Sequence, residues 1–350
     1  MPKSISTLYI YTPIVGAALL ASTLGHPADA NAFTGDPIFS EVSQYSTTIG
    51  DDPTDIYFPI VSDPLASLPV ALMFQGSMVD KADYSNYASI VASYGFAVVV
   101  PNNERTLVGP TGPVTGLLAE QGQVQQVLDF VALENQTPTS PLNNLLDPDA
   151  LGLLGHSFGG AVGLASVQGI CIFPFCTDSY RVPAALKAGI FYGTSFDLDP
   201  GPGVSVPPIN NVVPTGYILG NREGVVDLPV AVETFQQTLN PPKVLVEVDG
   251  ANHYGITNED SFRDPVRPTL DQAIATETIG RWSGLFLRAH VLDDQDAFDY
   301  VYNFGDALDP VVTTQSVEAV KTPEPSAAVG GVVLVAALAG RRLLKRRGGE

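Results

Sequence analysis

The stretch that most constrains this chain is Leu151-Gly152-Leu153-Leu154-Gly155-His156-Ser157-Phe158-Gly159-Gly160. Leu151 to Leu154 is a short apolar run that reads as a buried strand. It ends in Gly155-His156-Ser157-Phe158-Gly159, a G-x-S-x-G pattern. The small apolar run from Gly160 to Val167 then suits a helix packed tightly on a sheet. Strand, sharp turn and helix are the setting in which a serine is held at the tip of a strained turn with its hydroxyl presented. Gly155 and Gly159 would keep Cβ atoms out of the places where strand and helix nearly touch. A Gly-rich turn with an ordinary serine is the bland alternative, and the two flanks favour a nucleophile at Ser157.

Around this turn, strand and helix patterns alternate. Val42–Ile49 and Thr54–Ile60 read as an early strand pair across a Gly50-Asp51-Asp52-Pro53 turn. Leu68–Phe74, Phe96–Val100, Ala188–Tyr192, Thr215–Gly220 and Lys243–Val248 are apolar runs of strand length, as buried strands of a parallel sheet require. Helical spacing covers Tyr84–Tyr94, Leu117–Leu133, Val230–Leu239 and a long final helix, Thr269–His290. The expectation is an α/β fold: a mostly parallel central sheet with helices on both faces and an antiparallel early edge.

Composition bounds the partners. The chain has 350 residues, 15% of them charged, and a formal net charge of -20. No basic stripe is present to neutralise phosphates, so nucleic acid is not an expected partner. The two ends read as processing signals. Lys3, the apolar segment Ile10–Leu24 and Ala28-Asp29-Ala30 form a signal-peptide pattern over residues 1–30. At the other end, Thr322-Pro323-Glu324-Pro325 precedes an apolar run, Ala327–Gly340, and the basic cluster Arg341–Arg347. That run is short against the roughly 20 residues of a full span, and its basic flank would stay cytoplasmic. The domain expectation is therefore a signal peptide at 1–30, a main domain at 31–300, a linker at 301–321 and a sorting signal with a short membrane segment at 322–350. The two cysteines, Cys171 and Cys176, lie close together in a chain of this exported kind. They are expected to form a disulfide, a local staple on the loop after the Ser157 helix, rather than a metal site.

A serine hydroxyl needs a base to take its proton and a third group to orient that base. Of four histidines, His26 lies in the signal segment. His156 neighbours Ser157, so its side chain should point elsewhere. His290 ends a helix. His253, in the loop Gly250-Ala251-Asn252-His253 after a strand, remains as the base. The acid should lie between serine and histidine in chain order. Glu223 leads the candidates; Asp197 or Asp199, after the preceding strand, and Asp227, near a helix start where a capping role is ordinary, stay open. An oxyanion hole would use backbone N–H groups of Phe158 and of Ser77, with Met78 as the alternative to Ser77. Phe74, Met78, Tyr84, Phe158, Phe191 and Tyr192 are available either to line an apolar pocket or to pack as core. The chain has no long insertion between the turn and the acid that could serve as a lid.

These residues carry a resemblance. Gly155-His156-Ser157-Phe158-Gly159-Gly160, Phe74-Gln75-Gly76-Ser77, Tyr94–Pro101 and Gly250-Ala251-Asn252-His253 are similar to the corresponding motifs of the α/β-hydrolase superfamily, in its dienelactone hydrolase, chlorophyllase and platelet-activating-factor acetylhydrolase branch. The resemblance covers about residues 40–290. It implies the α/β-hydrolase fold and cleavage of carboxylic esters, small or polymeric, through a covalent acyl-serine, with no metal or cofactor. Two departures stand out: Gln75-Gly76 replaces a His-Gly common in those proteins, and Glu223 replaces the more usual Asp. The order Pro-Glu-Pro, apolar segment, basic cluster resembles the PEP-CTERM sorting signal of Gram-negative bacteria. It implies export to the cell envelope or beyond, transient membrane attachment by the C-terminus and cleavage by a sorting protease of the exosortase type. A non-catalytic surface or matrix protein on the same scaffold is the rival reading.

Overall fold

Nine strands form one sheet in the order β1-β2-β4-β3-β7-β8-β9-β10-β11 in the computed structural model, which describes residues 33–61, 67–109, 112–197 and 206–318. The expected signal peptide and sorting signal lie outside the described residues, as does Asp199. β3 (Leu68–Phe74), β4 (Ala97–Pro101), β7 (Leu146–His156), β8 (Leu186–Tyr192), β9 (Thr215–Gly220) and β10 (Lys243–Val248) run parallel. β1 (Val42–Ile49) and β2 (Asp52–Pro59) add the antiparallel edge, β2 pairing with β4. The protein is therefore mixed α/β with a large, mostly parallel sheet.

The apolar runs are strands because both faces of the sheet are covered. α1 (Ser85–Ser93) and α5 (Gln272–Val291) pack on one face through Tyr87, Val91, Ile279, Trp282 and Phe286. α2 (Gly122–Glu134), α3 (Phe158–Gln168) and α4 (Leu228–Gln237) pack on the other through Val124, Val127, Val162, Ala165 and Phe235. Helix starts follow capping chemistry. Asp271 accepts from Ala273 and Ile274 N–H at the start of α5, and Asp227 accepts from Val230 N–H with Pro229 in the first turn of α4. Among the described residues no helix is long and apolar enough to cross a membrane.

Three expectations need correction. Leu117 is not helical. It closes a separate two-stranded hairpin, β5 (Glu104–Gly109) with β6 (Gly112–Leu117), and α2 begins only at Gly122. The helix ending at Val291 is not the last, since α6 (Gln295–Asp299), a π-helical turn (Tyr300–Phe304) and α7 (Gly305–Leu308) follow. The expected linker at 301–321 is folded over 301–317. β11 (Val312–Val317) pairs antiparallel with β10, Val248 opposite Val312 and Lys243 opposite Val317. Trp282 Nε1–H donates to Asp309 Oδ2 at 2.9 Å, and Arg281 pairs with the same oxygen at 3.0 Å, fastening the turn before β11 to α5. β11 is mostly exposed, so no hydrophobic alternation marked it in the sequence.

Candidate active site

Ser77, Ser157, Thr194, Glu223 and His253 each follow the C-terminal end of a parallel strand: β3, β7, β8, β9 and β10. In open α/β sheets the crevice outside these ends is where ligands are bound. Ser157 sits between β7 and α3 with φ 54° and ψ -122°, a backbone state that side chains other than glycine's rarely adopt. Neighbouring backbone holds it there. Ser157 N–H donates to Tyr192 O at 3.0 Å, and Thr194 Oγ1 donates to Ser157 O at 2.9 Å. The turn is possible only with glycine on either side. A Cβ at Gly159 would lie 2.2 Å from Phe74 O, and one at Gly155 would lie 2.8 Å from Gly159 O.

His253 and Glu223 are buried together. His253 Nδ1 lies 2.8 Å from Glu223 Oε2, with the imidazole and carboxylate 2% and 0% exposed. A carboxylate only accepts, so Nδ1 carries the proton and Nε2 is the basic nitrogen of the neutral ring. The other oxygen, Glu223 Oε1, accepts from Val225 and Val226 N–H at 2.8 and 2.9 Å. Glu223 is thus held by backbone and points one lone pair at the histidine, as an orienting acid does. Of the other acid candidates, Asp227 is the cap of α4 and Asp197 lines the cavity beside Ser157.

The pair is tied to the serine turn. His253 O lies 2.9 Å from His156 Nε2, and the two imidazole centroids are 4.7 Å apart. On the far side of the turn, Gly193 follows Tyr192, the acceptor of Ser157 N–H. A Cβ there would lie 3.1 Å from His253 Nδ1 and 3.2 Å from Glu223 Oε2. His253 N–H donates to Asp264 Oδ2 at 2.9 Å, and Asp264 is itself buried. Sequence reasoning passed over Asp264, since the segment Asp260–Leu270 has no periodicity to read.

The loop after β3 is ordered around its N–H groups. Gly76 N–H donates to Tyr84 Oη at 2.8 Å, and Met78 N–H donates to Leu117 O at 2.8 Å. Met78 is therefore no oxyanion donor. Among the described residues, no acceptor is bonded to Ser77 N–H or to Phe158 N–H. Phe158 opens α3, where helix N–H groups are unpaired and the dipole favours negative charge. Arg263 fixes the loop from outside, donating to Ser77 O at 2.7 Å and Met78 O at 3.1 Å. The Gln75 side chain does not reach the site. It is buried and stitches the loop to the end of β4, its amide donating to Pro101 O (2.7 Å) and accepting from Asn103 N–H (3.0 Å).

Ser157 opens onto a cavity of about 450 Å³. Phe158 lines it, as does the loop closed by the Cys171–Cys176 disulfide. Of the other pocket candidates, Phe74, Tyr84, Phe191 and Tyr192 are fully buried core residues, and Met78 is exposed. His156 is also buried, with its pKa well below the ordinary value because burial, and then the neighbouring His253, disfavour its charged form. Taken together, the arrangement offers a hydroxyl on a strained turn, an oriented imidazole and two unpaired N–H groups. That is the equipment for nucleophilic attack on a carbonyl and stabilisation of the oxyanion formed. No protein-family profile matches this sequence, and no curated protein matches it.

Proposed function

We propose that this protein is a serine hydrolase of carboxylic esters with the α/β-hydrolase fold. The observation that carries the reading is the buried His253–Glu223 pair beside Ser157 at φ 54°. A backbone strained in this way is costly, and it is the conformation in which a turn of this kind presents a nucleophilic hydroxyl. The strand order and the placing of serine, acid and histidine after β7, β9 and β10 support the fold assignment.

In the proposed reaction Ser157 Oγ attacks the ester carbonyl while His253 Nε2 takes its proton. Glu223 keeps the Nδ1–H tautomer and stabilises the imidazolium. The N–H groups of Ser77 and Phe158 receive the oxyanion. The imidazolium returns the proton to the leaving alcohol. Water, deprotonated by His253, then releases the acid from the acyl-serine. An oxyanion donor of this kind is worth about 10²–10³ in rate. We also propose, from the terminal signals alone, that the protein is exported and is handled at its C-terminus by a sorting protease.

The test is hydrolysis of p-nitrophenyl acetate, butyrate and octanoate, run beside Ser157→Ala, with fluorophosphonate labelling of the same two proteins. Activity and labelling confined to the wild-type chain are the expected result. Equal rates in both proteins and no labelling would overturn the hydrolase reading and favour a non-catalytic surface protein.

A further inference from the structure

We propose that the loop closed by Cys171 and Cys176 is the wall that selects the substrate: with it, the cavity beside Ser157 takes an apolar group of an ester rather than an anionic one, and the disulfide holds the wall in register. The inference rests on the hydrolase reading.

All four residues inside the disulfide, Ile172, Phe173, Pro174 and Phe175, line the same cavity as Ser157. The rest of the lining includes further apolar side chains, Phe158, Ala161 and Val226. Phe175 packs against Phe158 at 5.4 Å and Phe196 at 6.1 Å between ring centroids, so the wall is continuous with the start of α3. The lining carries one ionisable side chain among the described residues, Asp197, whose carboxylate disfavours an anionic group. Among the described residues, no Lys, Arg or His lines the cavity. The Thr194 hydroxyl is engaged with Ser157 O. Desolvating an anionic group in such a site, with no cation to receive it, would be expensive.

The loop is also built to stay in place. Arg105, on the β5–β6 hairpin, donates to Pro174 O at 2.8 Å. Gln121 N–H donates to Phe175 O at 2.9 Å, and Phe175 and Cys176 N–H both turn back to Ile172 O. With the disulfide, these contacts hold a segment that belongs to no helix or strand. Yet Phe173 is left 63% exposed at the cavity's edge. A large aromatic in that position is covered when an apolar group fills the cavity. At the roughly 30 Å³ of a liquid water molecule, the space admits on the order of 15 non-hydrogen atoms.

The experiment measures kcat/KM on two ester series. One lengthens the acyl chain from acetate to octanoate on p-nitrophenol, and the other lengthens the alcohol from ethyl to octyl on acetate. Each is run on the wild-type protein, on Phe173→Ala and on Cys171→Ser/Cys176→Ser. One series should rise about fourfold per methylene entering the cavity, then level off when the cavity is full. Both variants should lower the ratio of longest to shortest substrate at least fivefold. Phe173 is exposed, so Phe173→Ala carries the test even if the double serine variant does not fold. A wild-type rate that is flat in both series, or a ratio that Phe173→Ala leaves unchanged, would overturn the inference alone. A wild-type protein inactive on every ester and unlabelled by fluorophosphonate would overturn the hydrolase reading itself.

Discussion

His156 Nε2 lies 2.9 Å from the backbone carbonyl of His253, so the residue before the candidate nucleophile supports the loop of the candidate base. A carbonyl only accepts, so Nε2 carries the proton and Nδ1 is left to accept from Tyr84 Oη at 2.9 Å. Tyr84 Oη in turn accepts from Gly76 N–H. One directed chain therefore runs from the loop after β3, through Tyr84 and His156, to the His253 loop. His156 should remain neutral in the Nε2–H form from pH 5 to 8, visible as a non-titrating imidazole in ¹⁵N NMR spectra. Tyr84→Phe, which leaves Gly76 N–H and His156 Nδ1 buried and unpaired, should cost about 1–3 kcal/mol. It should lower kcat on esters more than it raises KM. An unchanged kcat would show that this chain does not position the site.

Ser157→Gly separates strain from chemistry. Glycine accepts φ 54° without penalty, and the strain relieved is of order 1–3 kcal/mol, less about 0.5–1 for the freer unfolded chain. The variant should be inactive and should melt higher, by about 2–4 °C for each kcal/mol gained. Thermal unfolding followed by circular dichroism checks it; a lower Tm would show that the turn is unstrained.

Glu223→Gln replaces the oxygen that accepts from His253 Nδ1 with an amide unable to stabilise the imidazolium. Ester kcat should fall by about 10² or more. Asp227→Asn keeps a capping side chain and should leave kcat within about twofold. Steady-state kinetics on both variants distinguish the two acids, and the reverse pattern would move the acid to Asp227.

Asp52, buried at the start of β2, has its pKa pushed up to about 6 by burial, and then by Glu120 and Asp51. Its folded-state value lies above its unfolded value, so its contribution is favourable at low pH and is lost as pH rises through about 6. Asp52→Asn removes the charge at every pH. Its Tm gain over wild type should be small at pH 4 and a few degrees at pH 8. A gain independent of pH would assign the effect to something other than ionisation.

Asp309→Ala would leave Trp282 Nε1–H without its acceptor and Arg281 without one of its carboxylates. Removing one partner from a buried pair costs about 3 kcal/mol, and the loss should loosen β11 from β10. Differential scanning calorimetry should show a Tm drop of several degrees, which a linker at this position would not give. Asp309→Asn, which can still accept from Trp282, should recover part of it.

Local pattern carried much of this protein. Apolar runs of strand length at Leu68–Phe74, Lys243–Val248 and the segments between them could be read because both sheet faces are covered, which demands continuous hydrophobicity. The turn at Ser157 was legible because close approach of strand and helix admits only glycine at Gly155 and Gly159. Tertiary structure decided what depends on distant segments meeting across the strand ends. Glu223, Asp197 and Asp227 look alike in sequence; only the fold puts the Glu223 carboxylate on His253 and the Asp227 carboxylate on a helix N-terminus. His156 was expected to point away from the site, and nothing local foretold that it would support the His253 carbonyl 97 positions on. The same holds for the Cys171–Cys176 loop, whose role as a cavity wall follows from its packing beside Ser157. β11 escaped because an exposed edge strand buries too little to leave a hydrophobic period, so its pairing with β10 exists only in three dimensions.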